Sequence, residues 1–208
     1  ISIKENGDGV IVTTNQAEYQ TQKVVLTAGP WLPDFIGADL AKYFKIERQV
    51  QYWFDIESAY RSFSDNFPIF IWETPIGGHI YGFPAIDGAT GGFKLGSSKY
   101  NKIVTASTVD RTVTKEETKL MFNQQVKPFF PRAEESCVRT AVCLYTSTPD
   151  AGFVIDQSPE CPAVLVCSPC SGHGFKHSAA IGEAIAELVT TGNTTLDISA
   201  FKLPQLTR

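Results

Sequence analysis

The residues with the most chemical promise lie in one run, Ser168-Pro169-Cys170-Ser171-Gly172-His173-Gly174-Phe175-Lys176-His177, between an apolar stretch and a helical pattern. Glycines in a loop that opens a helix let the backbone approach a ligand closely. The helix start adds N–H groups with partial positive charge, so the run is suited to an anionic group. Lys176 would contribute a full charge, although a lysine in the first turn opposes the helix dipole. Gly172-x-Gly174 also resembles the start of a dinucleotide fingerprint. The third glycine of that pattern is replaced by His177, and no second strand of a βαβ unit follows. From the loop alone, a plain glycine-rich turn explains the residues equally well.

Cysteine is the second nucleophile or ligand to weigh. Five cysteines, Cys137, Cys143, Cys161, Cys167 and Cys170, are an odd number in a chain of 208 residues, which fits a reducing compartment better than a disulfide framework. Cys167-Ser168-Pro169-Cys170 is a CxxC, but it has neither a second pair to complete a zinc site nor a helix start right after its first cysteine. Buried structural cysteine is the commoner fate. His79, His173 and His177 have no partner at metal-ligand spacing, so no metal is expected. A serine-hydrolase elbow, GxSxG, is absent.

Two motifs taken together carry a resemblance. Arg139-Thr140-Ala141-Val142-Cys143-Leu144-Tyr145-Thr146-Ser147-Thr148-Pro149-Asp150, running to Phe153-Val154-Ile155-Asp156, is followed at a fitting distance by Ser171-Gly172-His173-Gly174-Phe175-Lys176. This combination resembles the monomeric sarcosine oxidase and N-methyltryptophan oxidase family, FAD-dependent flavoproteins that oxidise N-methyl and cyclic secondary amino acids. Val24-Val25-Leu26-Thr27-Ala28-Gly29-Pro30-Trp31 looks like the family's strand and turn against the flavin nucleotide. Tyr81-Gly82-Phe83-Pro84 and Lys94-Leu95-Gly96 look like its substrate-domain sheet.

The resemblance implies roles residue by residue. Cys143 matches the cysteine that bonds covalently to the flavin, and Lys176 the lysine that binds the substrate carboxylate. Lys94 matches the lysine beside the flavin that promotes reaction with oxygen, and Tyr81 would line the substrate pocket. Ala28, Gly29, Gly172, His173, Gly174, Phe175 and Lys176 would contact the cofactor. The family's N-terminal GxGxxG is absent, so the resemblance implies a C-terminal portion lacking that FAD-binding segment, and a monomer. Where the family carries a histidine, this chain has Ser98, which leaves room for an amine bulkier than sarcosine. Partners so implied are a small amino acid and molecular oxygen. Two other readings remain: a non-catalytic binding or regulatory module of the same fold, and an amine dehydrogenase passing electrons to a partner. Lys94 favours the oxidase over the dehydrogenase.

The elements that must position these residues are mostly strands. Ile1 to Lys4 and Val10 to Thr14 around Glu5-Asn6-Gly7-Asp8-Gly9 read as a hairpin. Further strand-like runs are Lys23 to Thr27, Ile46 to Ile56, Phe67 to Glu73, His79 to Phe83, Gly92 to Ser97, Arg139 to Tyr145, Phe153 to Asp156 and Ala163 to Cys167. Thr114-Lys115-Glu116-Glu117 is a capping box that starts one helix. Ile181, Ala184, Ile185, Leu188 and Val189 recur at helical spacing up to Gly192 and define another. The class is α+β: an incomplete FAD-binding, Rossmann-like lobe from residues 1–44 and 150–208, and a mostly antiparallel-sheet substrate lobe over 45–149. Without the N-terminal segment, the apolar surface from Val24 to Leu26 and from Val164 to Val166 is expected to be uncovered, or covered by a neighbouring chain, because central strands are apolar on both faces.

Composition sets outer limits. With 18 Lys and Arg against 22 Asp and Glu, and basic residues scattered, no stripe for tracking phosphates appears and nucleic acid is not an expected partner. No apolar run approaches the roughly 18 residues of a membrane span, so the expectation is a soluble, cytoplasmic protein.

Overall fold

A computed structural model of the chain describes residues 1–7, 9–57, 67–88, 90–100 and 102–203. They fall into two compact units: Ile1–Ile46 with Thr105–Ser107 and Tyr145–Arg208, and Glu47–Val104 with Thr108–Leu144.

In the first unit, β1 (Ser2–Asn6) and β2 (Gly9–Thr13) form the expected hairpin, and Gly7 takes the positive φ of 59° that its turn needs. β3 (Glu18–Thr21) adds antiparallel to β2. A second sheet runs in the order β11 (Val154–Gln157), β12 (Val164–Ser168), β4 (Val24–Leu26), with β12 parallel to β4. A one-turn helix, α1 (Ala38–Ala41), follows β4 and a 3-10 turn.

Alternation along β12 sends side chains to both sides. Val164 and Val166 join Val10, Leu26, Leu32, Phe44 and Val154 in one core. Cys167 joins Phe153, Ile155 and Ile181 in another, against the last helix, α3 (Ser178–Thr191). The expectation of uncovered strands therefore needs correction. Val164 and Val166 are buried, because the chain supplies its own cover on that face; only Val25 stays exposed. α3 ends as its sequence dictates, with Gly192 left-handed at φ 83°.

The second unit is built on a sheet in the order β10 (Ala133–Ser147), β5 (Lys45–Ile56), β8 (Phe93–Ser97), β7 (His79–Phe83), β6 (Phe70–Glu73). β9 (Lys102–Val104) pairs with β5 off this path. One face, through Tyr52, Phe54, Phe93 and Leu95, packs on Met121, Phe122 and Val126. Those residues come from α2 (Lys115–Met121) and the π-helical turn that prolongs it, Phe122–Val126. The Thr114–Glu117 capping box forms in full, with both reciprocal hydrogen bonds.

Arg48 fixes α2 to the sheet. Buried on the helix-facing side of β5, it donates to Glu117 at 2.6 Å and to the carbonyls of Asp110 and Thr112. Partial burial alone would raise the Glu117 carboxyl. The bonds from Arg48 and the Thr114 N–H outweigh that and hold it below its ordinary value.

Candidate functional site

In the first unit, the loop after β12 is shaped by its own backbone. Ser171 and Gly172 both take positive φ, 44° and 78°, and a Cβ on Gly172 would come within 2.7 Å of the Tyr145 ring. A Cβ on Gly174 would overlap the Pro169 carbonyl oxygen. Both glycines are thus required by space, which the sequence pattern alone left open.

Hydrogen bonds tie this loop to the end of β10 and the turn beyond it. Ser171 donates through its N–H to the Thr146 carbonyl at 2.9 Å and through its hydroxyl to the Gly152 carbonyl at 2.8 Å. The Thr146 N–H reaches Cys170 Sγ at 3.4 Å. His173 Nε2 lies 2.9 Å from the Ala151 carbonyl, and its ring stacks on Phe153 at 4.8 Å. Ala151 itself is left-handed, with φ 55°, and is held there by the turn in which Asp150 accepts from Thr148 and the Gly152 N–H. Lys176 folds back on the loop, donating to the His173 carbonyl at 3.0 Å. Phe175 is 93% exposed, an unusual position for so large an apolar ring. Among the described residues, no side chain caps the start of α3.

Parallel strands end side by side in this unit, since Leu26 of β4 is opposite Val166 of β12. Ligands in α/β sheets gather beyond such carboxyl ends. β4 continues into Ala28 and Gly29, where φ is 55° and the space a Cβ would occupy is open. β12 ends at Ser168, whose hydroxyl is buried without a hydrogen-bond partner among the described residues, as is that of Thr146. Buried hydroxyls of this kind call for a partner. Two orphaned hydroxyls, a close-turned glycine loop, an uncapped helix start and an exposed ring fit a ligand that combines polar groups with a flat apolar body.

In the second unit, the sheet face away from α2 carries the other sequence-predicted residues. Register places Lys94 opposite both Trp53 and Phe83, and Gly96 opposite Gln51 and Tyr81. Lys94 Nζ lies 5.3 Å from the Trp53 ring centroid and 5.0 Å from that of Phe83. Gly96 makes room for Tyr81: a Cβ there would sit 2.5 Å from the tyrosine oxygen. Ser98 hydrogen-bonds to the neighbouring strand. Its hydroxyl accepts from the His79 N–H at 2.9 Å, so it pins the start of β7.

Cys143 lies in β10, partly buried, and Arg111 donates to the carbonyl of its neighbour Val142 at 3.1 Å. Neighbouring residues on both faces are also partly buried, so burial does not single out one face there. Cys167 is a core residue whose thiol burial pushes up to about 12, which removes the nucleophile from a redox CxxC. All five cysteines are free. Among the described residues, no cluster of His, Cys, Asp and Glu could hold a metal ion, and no helix is long and apolar enough to cross a membrane.

Residues 1–188 match the family described as FAD dependent oxidoreductase. The chain belongs to that family. It is 38% identical to the monomeric sarcosine oxidase of Streptomyces avermitilis over 196 residues, covering 93% of this chain and 50% of that protein. It is 30% identical to the N-methyl-L-tryptophan oxidase of Shigella sonnei over 205 residues, covering 97% of this chain and 52% of the relative. The chain thus spans about half the length of the curated relatives it matches. Among solved structures, NikD, an unusual amino acid oxidase essential for nikkomycin biosynthesis, superposes with TM-score 0.72 at 20% identity, over 97% of this chain and 53% of that one. L-proline dehydrogenase from P. horikoshii gives 0.70 at 22%, over 97% and 52%. At such identities these two establish the fold alone.

Proposed function

We propose that the chain is part of a flavin-dependent oxidase of secondary amino acids, N-methyl or cyclic, whose products are an imine and hydrogen peroxide. The similarity to oxidases of sarcosine and N-methyl-L-tryptophan supports this, and one structural observation carries it for this chain: the orphaned hydroxyls of Thr146 and Ser168 beside the Gly172–Gly174 loop. FAD, when bound, supplies the capacity to take a hydride from the carbon beside nitrogen and to pass the electrons to oxygen.

The chain's own residues then divide the work. Ala28, Gly29, Gly172, His173, Gly174 and Phe175 would hold the cofactor by close backbone approach and ring contact. Cys143 would tether it through its sulfur. Lys176, once turned from the His173 carbonyl, would pair with the substrate carboxylate, with Tyr81 lining the pocket. Lys94 would face the negative charge that develops as oxygen is reduced. Monomeric state and a cytoplasmic location complete the reading.

The test uses the full-length protein. Anaerobic addition of N-methyl and cyclic amino acids should bleach a yellow enzyme, and air should restore the colour with peroxide formed. Lys176→Met should weaken binding of carboxylate-bearing amines by one to two orders of magnitude, the worth of a charge-assisted hydrogen bond of roughly 1.5–3 kcal/mol, and spare amines without a carboxylate. Bleaching that only an artificial electron acceptor reverses would assign a dehydrogenase, and a colourless protein would overturn the reading.

A further inference from the structure

Four side chains stand in a row across one face of the second unit's sheet: Arg139 on β10, Trp53 on β5, Lys94 on β8 and Phe83 on β7. Cations and rings alternate along it. The Arg139 guanidinium carbon lies 4.0 Å from the Trp53 ring centroid, and Lys94 Nζ lies about 5 Å from the rings on both of its sides. Arg139 is in turn paired with Asp87 at 3.1 Å. Trp53 is 8% exposed, and Gly92 approaches it closely enough that a Cβ there would come within 3.0 Å of the Trp53 Cβ.

The consequence is electrostatic. A lysine fixed by a carboxylate is neutralised by the group that fixes it. Aromatic faces attract a cation through their quadrupole and leave its net charge intact. Among the described residues, no carboxylate forms an ion pair with Lys94. Arg139, on the same indole, has its charge answered by Asp87, so it steadies the ring without presenting a second uncompensated cation.

We propose that Trp53 is the positioning residue for Lys94, holding its ammonium group in place with its charge uncompensated, with Phe83 as the second wall. This inference rests on the flavin oxidase reading, in which Lys94 serves the reaction with oxygen, and it adds a residue that reading does not contain.

The experiment uses the full-length protein and two kinds of readout. The first is structural and independent of turnover. Lysines are reductively methylated with 13C-formaldehyde, and the methyl resonance absent from Lys94→Arg is assigned to Lys94. In the wild type, ring currents should shift that resonance upfield of the other lysines. Trp53→Leu should return most of the shift, and Trp53→Phe should retain part of it. The second readout separates the half-reactions. Trp53→Leu should slow the reaction of reduced enzyme with oxygen about tenfold and leave anaerobic reduction by amine within twofold. Trp53→Phe should recover part of the loss, and Trp53→Leu combined with Lys94→Met should be no slower than Lys94→Met alone. An unshifted wild-type resonance, equal loss in both half-reactions, or additive losses in the double variant would overturn the positioning role. If Lys94→Met itself leaves the oxygen reaction unchanged, the functional reading of Lys94 fails, a result distinct from failure of Trp53 to position it.

Discussion

Gly174→Ala isolates the geometry of the loop that follows β12. The added methyl would overlap the Pro169 carbonyl oxygen and stand 2.7 Å from the Pro169 carbonyl carbon, where contacts shorter than 3.0 Å are essentially never tolerated. Both atoms belong to backbone, so no side chain can swing aside. The loop must move by about an ångström, and Phe175 and Lys176, next in sequence, move with it. Misplacement on that scale costs about 100-fold where a site depends on alignment. Flavin affinity of the full-length apoprotein, measured by fluorescence quenching on titration with FAD, should therefore fall by about 10- to 100-fold. Gly182→Ala serves as control. It lies within α3 with nothing inside 4 Å of the new methyl, and removing a helical glycine should stabilise by about 0.5–1 kcal/mol with affinity unchanged. Thermal unfolding of the apoproteins distinguishes a displaced loop from a lost fold. Wild-type flavin affinity in a folded Gly174→Ala variant would refute the reasoning.

Three further outcomes follow from the geometry. Glu117 has a carboxyl pKa held below its unfolded value, so its contribution is present above the unfolded pKa and is lost as pH falls through the folded one. Glu117→Gln should therefore lower urea stability near neutrality by about 1–2 kcal/mol, discounted for its partial exposure, and the gap should close in acid; a gap independent of pH would refute the Arg48 pairing. Cys167, with its thiol raised to about 12, should resist alkylation at pH 8 in the native protein and react on unfolding, as read by peptide mass mapping. Full-length protein denatured in acid should keep yellow colour on the polypeptide, and Cys143→Ala should lose it; complete release from the wild type would remove the tether.

Legibility in the sequence followed the strength of local signals. The β1–β2 hairpin, the Thr114–Glu117 capping box and the Gly192 stop are short-range devices, and each forms where its residues stand. β3 was hidden because Glu18-Tyr19-Gln20-Thr21 is exposed throughout and has no apolar face to alternate. β10 proved longer than Arg139 to Tyr145, since its first half, with Glu134, Glu135 and Ser136 exposed, carries no burial pattern. The same limit applied at the candidate site. Gly172-x-Gly174 advertised a loop, but the overlap with Pro169 and Tyr145 that makes both glycines necessary is a tertiary fact. The row from Arg139 to Phe83 depends on strand order, which no spacing within the chain announces. Likewise, the bond that Ser98 accepts from the His79 N–H is a tertiary fact that the residue's small size does not announce.

The parallel pairing of β4 with β12 has a kinetic corollary. Val24 and Val164 are partners about 140 residues apart in sequence, and closing a flexible loop of that length costs on the order of 4 kcal/mol before any contact offsets it. The intervening stretch contains β5 and β10, which lie side by side in their own sheet. Once that sheet has formed, the chain leaving β4 and the chain entering β12 are tethered through one strand pair instead of through a hundred loose residues. The connectivity therefore predicts an order of events, in which the inserted sheet precedes the parallel pair that brackets it. During refolding, amides of β5 and β8 should gain protection from hydrogen exchange before those of β4 and β12.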